Sequence, residues 1–126
     1  PTTDVLLIAL ALTDETENLI GASELKLLPK DAVIVNVARG KHIVTEDLVK
    51  ALTDSEIAGA ALDVTDPEPL PAGHPLWNLP NCLITPHTAN TPEMGIELLS
   101  LRVTENVSRY LQGLDLIGCI DIDSGY

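Results

Sequence analysis

Four short apolar runs, each followed by a polar or turn-rich stretch, decide what this chain can fold into. Val5–Leu10, Val33–Val37, Ile57–Val64 and Cys82–Thr85 are continuous, not alternating, in hydrophobicity. Such runs suit strands covered on both faces, as in a parallel sheet. The third run is rich in Ala and Gly, which marks close approach of neighbouring chain. Helix signals lie between the runs. Ser23–Leu28 is short and is stopped by Pro29, which cannot continue a helix. Thr45 reads as an N-cap, with Glu46 and Asp47 at the positive end of the helix dipole and Leu48, Val49 and Leu52 as its apolar stripe. Thr91 and Pro92 open a long helix, in which Met94, Leu98, Leu101 and Leu111 fall on helical spacing and Gly113 marks the end. Strand–helix–strand repetition requires parallel pairing through right-handed crossovers. The expected fold is therefore α/β, a Rossmann-like doubly wound parallel sheet, partial at four strands. A long C-terminal helix closes it, and residues 114–126 form an extended tail.

Composition narrows the class of partner. Nineteen acids face seven bases, a net charge of −12. No basic stripe exists for nucleic acid, and anionic membrane surfaces are disfavoured. A single well-placed Arg still suffices for a small carboxylate. The core must be aliphatic, because there is no Phe and aromatics make up 2% of the chain. Cys82 and Cys119 show neither CxxC nor Cys/His spacing, so a disulfide scaffold is not expected and a cytoplasmic setting is. Cys82 reads as a buried strand residue. The start of the chain shows no secretory signal pattern, and the longest apolar run, Val5–Leu12, is too short to span a bilayer. The chain opens at Pro1 and enters an apolar strand by Val5, which we read as a fragment of a longer protein.

Ligands of open parallel sheets bind beyond the carboxyl ends of the strands. Ala11-Leu12-Thr13 follows the first run, Ala38-Arg39-Gly40 the second, Asp63 and then Asp66-Pro67-Glu68-Pro69 the third, and Pro86-His87-Thr88 the fourth. An Arg, a group of carboxylates and a His thus converge on one edge. Arg offers a rigid donor fork for a substrate carboxylate and polarises an adjacent carbonyl. His is the natural proton donor near neutral pH, and a carboxylate beside it fixes the tautomer. Beside a nucleotide cofactor, this set describes reduction of a 2-oxo acid. Glu68 is preferred to Asp66 as the partner of His87, from its Glu-Pro context and its five-residue step from Asp63.

Asn36-Val37-Ala38-Arg39-Gly40, Ala61-Leu62-Asp63-Val64 with Glu68-Pro69, and Pro75-Leu76-Trp77 with Asn81 leading to Thr85-Pro86-His87 resemble the D-isomer-specific 2-hydroxyacid dehydrogenases. The resemblance runs from Asp4 to about Gly113. It implies that residues 1–113 are the C-terminal portion of an NAD(P)-binding Rossmann domain with its closing helix. It implies catalytic roles for Arg39, which binds the substrate carboxylate and carbonyl, for His87, which moves the proton, and for Glu68, which pairs with His87. It also implies cofactor contacts from Leu10, Val37, Ala38, Arg39, Asp63 and His87, with NAD or NADP as cofactor and no metal. A 2-oxo or 2-hydroxy acid is the implied substrate and a homodimer the implied assembly. The sequence departs from the family in carrying Ala11 where Pro is usual. The glycine-rich GxGxxG turn and the ribose-reading acid are not in this sequence, so the chain alone cannot form a complete cofactor site. The alternative is an NADH-sensing binding module of the same fold with little turnover.

Other positions read as structural. His42 lies between strand and helix and is expected at the surface. His74 is expected in a loop, structural or exposed. Trp77 is expected to pack a loop against the sheet, and Thr16 and Asn18 to serve helix entry.

Overall fold

The computed structural model describes residues 2–123. The chain divides into two compact units, Pro1–His87 and Thr88–Tyr126. The first holds β1 (Val5–Ile8), α1 (Ala22–Leu25), β2 (Val33–Asn36), α2 (Thr45–Thr53), β3 (Gly59–Leu62) and β4 (Cys82–Ile84), with 3-10 turns at Gly40–His42 and Pro75–Asn78. The strands pair in parallel in the order β1-β2-β3-β4. Each element is shorter than its apolar run, because the flanking apolar residues belong to the turns.

An order without reversal has a geometric consequence. Right-handed crossovers that all step the same way place their helices on the same face of the sheet. Leu25 of α1 and Leu48, Ala51 and Leu52 of α2 accordingly form one buried cluster with Ile8, Ile34, Ala60 and Leu62. On the opposite face, Val5 and Leu7 are each 58% exposed and Leu83 63%. The expectation of strands covered on both faces therefore fails for these rows within the described residues. The sheet is the parallel Rossmann-like one expected, wound on one side by its own helices.

Local chemistry explains the helix ends. α1 is a single turn. Its N-terminus is held by Asp47 of α2, whose Oδ2 accepts from the Ala22 N–H at 2.9 Å, and by Glu24, whose Oε2 accepts from the Gly21 N–H at 2.9 Å. Val44, not Thr45, stands at the cap of α2. The Thr45 hydroxyl is engaged instead as a donor to Asp66 O, at 2.7 Å.

The second unit contains α3 (Pro92–Leu111). It opens at Thr91 and Pro92 as expected. It closes on Gly113, whose φ is +68°. There the Leu114 N–H donates to Arg109 O at 2.9 Å and the Gly113 N–H to Tyr110 O at 3.1 Å, the paired bonds of a Schellman closure. The segment after it lies along α3 because Asn106 takes both main-chain groups of Ile117, at 2.8 and 3.0 Å. The last three residues of the expected tail lie outside the described residues. Among the described residues no helix is long and apolar enough to cross a membrane.

Candidate active site

Register decides where the chemistry-bearing residues fall. Ile8 pairs with Asn36, Asn36 with Leu62, and Leu62 with Ile84, so all four strands end on one rung. Ala11, Arg39 and His87 each lie three residues beyond that rung, and Asp63 one residue beyond it. The carboxyl ends thus form a single edge bearing the predicted set.

His87 and Glu68 meet directly. Nδ1 of the ring lies 2.7 Å from Oε1 of Glu68. An ionised carboxylate only accepts, so Nδ1 is the donor in this contact and Nε2 is turned away from Glu68. The backbone of His87 has φ +57°, a region that side-chain-bearing residues seldom adopt. Its N–H donates to Thr85 O at 3.0 Å, across Pro86. Strain of this kind persists only where surrounding structure holds it, and it concentrates at functional sites. Both side chains are close to half exposed, at 46% and 41%. At that exposure an ion pair adds only about 0–1 kcal/mol to stability, so orientation is what the pair supplies.

Glu68 and His87 open onto a cavity of about 230 Å³ that also meets Asp63, Leu70, Trp77 and Thr85. Asp63 is buried. The Thr85 hydroxyl donates to its Oδ1 at 2.5 Å, which joins the ends of β3 and β4. Trp77 is half exposed and lines this cavity, with its indole N–H donating to Pro71 O at 2.9 Å. The 3-10 turn that carries it lies against β4. Cys82 is half-buried, and burial pushes its thiol up to about 11.

Arg39 begins the 3-10 turn after β2, and its Nη1 donates to Ala38 O at 2.6 Å. Asn36 braces that turn. Its Oδ1 accepts from the buried Ala38 N–H at 3.0 Å, and its Nδ2 donates to Arg39 O at 2.9 Å. Gly40 sets the turn against the next loop. A Cβ there would sit 2.0 Å from the main chain of Thr65, so only glycine permits this approach. The Arg39 turn and the Asp63–Glu68 loop are therefore neighbours. Of the other expected cofactor residues, Leu10 and Val37 expose apolar side chains at 39% and 38%, and Ala38 is buried.

Sequence reasoning missed three supports. Asn36 was legible, since an amide at the end of an apolar strand must find partners once buried. Thr85 carried no such signal. His42 was misplaced, being fully buried and not at the surface. Its ring finds two main-chain carbonyls, Arg39 O and Ala11 O, and so is withdrawn from solvent. Thr16 and Asn18 do not enter a helix. The Thr16 hydroxyl donates to Ala11 O at 2.9 Å and accepts from the Thr13 N–H at 2.8 Å, closing the loop after β1. Asn18 adopts φ +54° within the same loop. Nδ1 of His74 accepts from the Leu76 N–H at 3.3 Å and caps the second 3-10 turn.

A parallel sheet with an Arg turn, a buried Asp and a His–Glu pair along one carboxyl edge has the form of a nucleotide-linked oxidoreductase domain. The model of the D-isomer specific 2-hydroxyacid dehydrogenase NAD binding domain matches residues 1–89, and the chain belongs to that family. It is 46% identical over 110 residues to a glyoxylate reductase of Aeropyrum pernix, covering 87% of this chain and 33% of the relative. Among solved structures, it matches the NADPH-dependent glyoxylate/hydroxypyruvate reductase of Sinorhizobium meliloti with NADP and sulfate. The TM-score is 0.89 and the identity 31%, over 98% of this chain and 40% of that one. It also matches a D-isomer specific 2-hydroxyacid dehydrogenase of Xanthobacter autotrophicus Py2 in complex with NADPH and MES. Here the TM-score is 0.87 and the identity 38%, over 98% of this chain and 50% of the other. The chain thus spans a third to a half of the length of these proteins.

Proposed function

We propose that this chain, through residues 1–113, supplies the C-terminal portion of the cofactor domain of an NAD(P)-dependent oxidoreductase. The whole protein interconverts small 2-oxo acids and D-2-hydroxy acids. The observation that carries the reading is the Glu68–His87 contact of 2.7 Å at the same strand edge as Arg39. The relatives named as glyoxylate or hydroxypyruvate reductases support a small, polar 2-oxo acid as substrate. We place the protein in the cytoplasm and expect it to act as a homodimer.

The residues present fit the nicotinamide half of the cofactor. Leu10 and Val37 offer apolar surface beside the strand ends, and Ala38, Asp63, Arg39 and His87 border it. The phosphates have no glycine-rich cradle in this sequence. When bound, the cofactor supplies the hydride that reduces the substrate C2. The chain's own residues do the rest. Arg39 binds the substrate carboxylate through its donor fork and polarises the adjacent carbonyl. Glu68 accepts from Nδ1–H of His87, so Nε2 is the proton-exchanging atom: it bears the transferable proton in the doubly protonated ring and is the bare acceptor in the neutral one. That proton passes from Nε2 to the carbonyl oxygen during reduction, and the ring takes it back during oxidation.

Steady-state kinetics of the full-length protein with NADH or NADPH and glyoxylate, hydroxypyruvate or pyruvate test this. His87→Ala should cut kcat by about 10²–10⁴, the usual worth of a positioned proton donor, with NAD(P)H affinity kept. Arg39→Ala should raise the substrate KM by roughly tenfold or more, as expected for loss of a charge-assisted bond. Near-normal turnover by the His87 variant would sink the assignment. Tight cofactor binding without turnover on any 2-oxo acid would favour the sensing module instead.

A further inference from the structure

His42 is the buried titratable group for which this chemistry has no use. Its residue is 0% exposed. The ring lies between two main-chain carbonyls, with Nδ1 2.9 Å from Arg39 O and Nε2 3.2 Å from Ala11 O. Carbonyl oxygens only accept, so a ring nitrogen bonded to one must donate. A neutral ring serves one of the two carbonyls and a protonated ring serves both.

The two ends of this bridge belong to different parts of the site. Arg39 is the residue placed at the substrate carboxylate, and Ala11 directly follows Leu10, placed against the cofactor. The loop after β1 already runs beside the Arg39 segment at its far end. There the Asn18 N–H donates to Lys41 O at 2.7 Å, the Ile20 N–H donates to His42 O at 2.9 Å, and Lys41 Nζ meets Glu17 at 3.0 Å. Those contacts fix residues 17–20 and leave the near end, beside β1, to other bonds. Among the described residues, the His42 ring is the group that reaches Ala11 from the Arg39 segment.

We infer that His42 is a positioning residue: its ring fastens the near end of the β1 loop, at Ala11, to the main chain of Arg39. The cofactor side and the carboxylate side of the site are thereby held at one spacing. The inference rests on the roles proposed above for Arg39 and Leu10. Loss of the bridge should weaken ground-state binding and spare proton transfer, which is the step of His87.

The test compares His42→Leu, which fills the volume without donors, with His42→Gln, which restores an amide donor, in the full-length protein. With the Leu variant, KM for NAD(P)H and for glyoxylate should each rise about tenfold while kcat stays within about threefold, the scale of one or two lost hydrogen bonds. The Gln variant should recover part of the loss. Hydrogen exchange should quicken at the amides of Thr13, Thr16 and Glu17 and not in β3. Unchanged KM in an active Leu variant, or exchange that quickens equally in β2, β3 and the loop, would overturn the inference. A wild-type protein with no turnover would defeat the proposed function, and the exchange pattern alone would then decide the role of His42. Should the Leu variant not fold, ¹⁵N spectra of the wild type decide instead. Two slowly exchanging ring N–H groups of His42 support the bridge, and a single ring N–H, or exchange as fast as that of His87, refutes it.

Discussion

Single residues show how strongly burial controls the site. Asn36 is 1% exposed, and both ends of its amide are used to shape the Arg39 turn. Asn36→Ala leaves the Ala38 N–H without its acceptor, which costs about 1–3 kcal/mol for a buried donor. Chemical denaturation should show a lower midpoint at unchanged slope, and the substrate KM should rise because the Arg39 turn loosens. Cys82 makes a second case. Desolvation alone raises its thiol from 9.0 to about 11. The folded state therefore holds this proton more tightly than the unfolded chain does. The sign follows directly: the contribution is fully present below pH 9.0 and is lost as pH rises through about 11. At pH 8, a thiol reagent should modify the exposed Cys119 quickly and Cys82 slowly. Equal rates would contradict the burial of Cys82 beside the core.

Elements act through the close approach of their backbones. The turn after β2 and the loop after β3 meet where Gly40 faces Thr65, and the Thr45 hydroxyl bonds Asp66 O just beyond. Gly40→Ala forces the two segments apart, because the atoms in the way are main chain and cannot rotate aside. Overpacking of this kind costs about 1–3 kcal/mol or more. We expect the Ala variant to lose that much stability and to separate Arg39 from Glu68, so that both kcat and KM suffer. A variant with wild-type melting temperature and kinetics would show that the two segments are not in contact. The strands follow a similar logic. Four runs of apolar residues were enough to locate them, but the shortening to three or four residues per strand came from the turns. Polar residues such as Asn36 and Asp63 sit where the ladder stops and the functional edge starts.

On the scale of the whole molecule, the one-sided winding of the sheet matters most. Val5, Leu7 and Leu83 form part of an apolar face that the first unit's own helices do not cover. Exposed apolar faces and open strand edges favour association. Produced alone, the 126-residue chain should bind a hydrophobic dye and elute larger than a monomer, and it should show no NAD(P)H oxidation with glyoxylate. A monodisperse monomer by light scattering with no dye binding would refute this. The sequence by itself determined the strand runs, the parallel class, the family, and Arg39, Glu68 and His87 as the residues to watch. Each of those rests on local hydrophobic pattern or on a short motif. Only the tertiary structure decided which groups touch. Glu68 meets His87 across 19 residues, Thr85 meets Asp63 across 22, and His42 meets Ala11 across 31. Such contacts are products of strand register and of the turns that follow it. A residue such as His42, polar in composition and placed in a connecting segment, is therefore buried or exposed according to what the register brings opposite it.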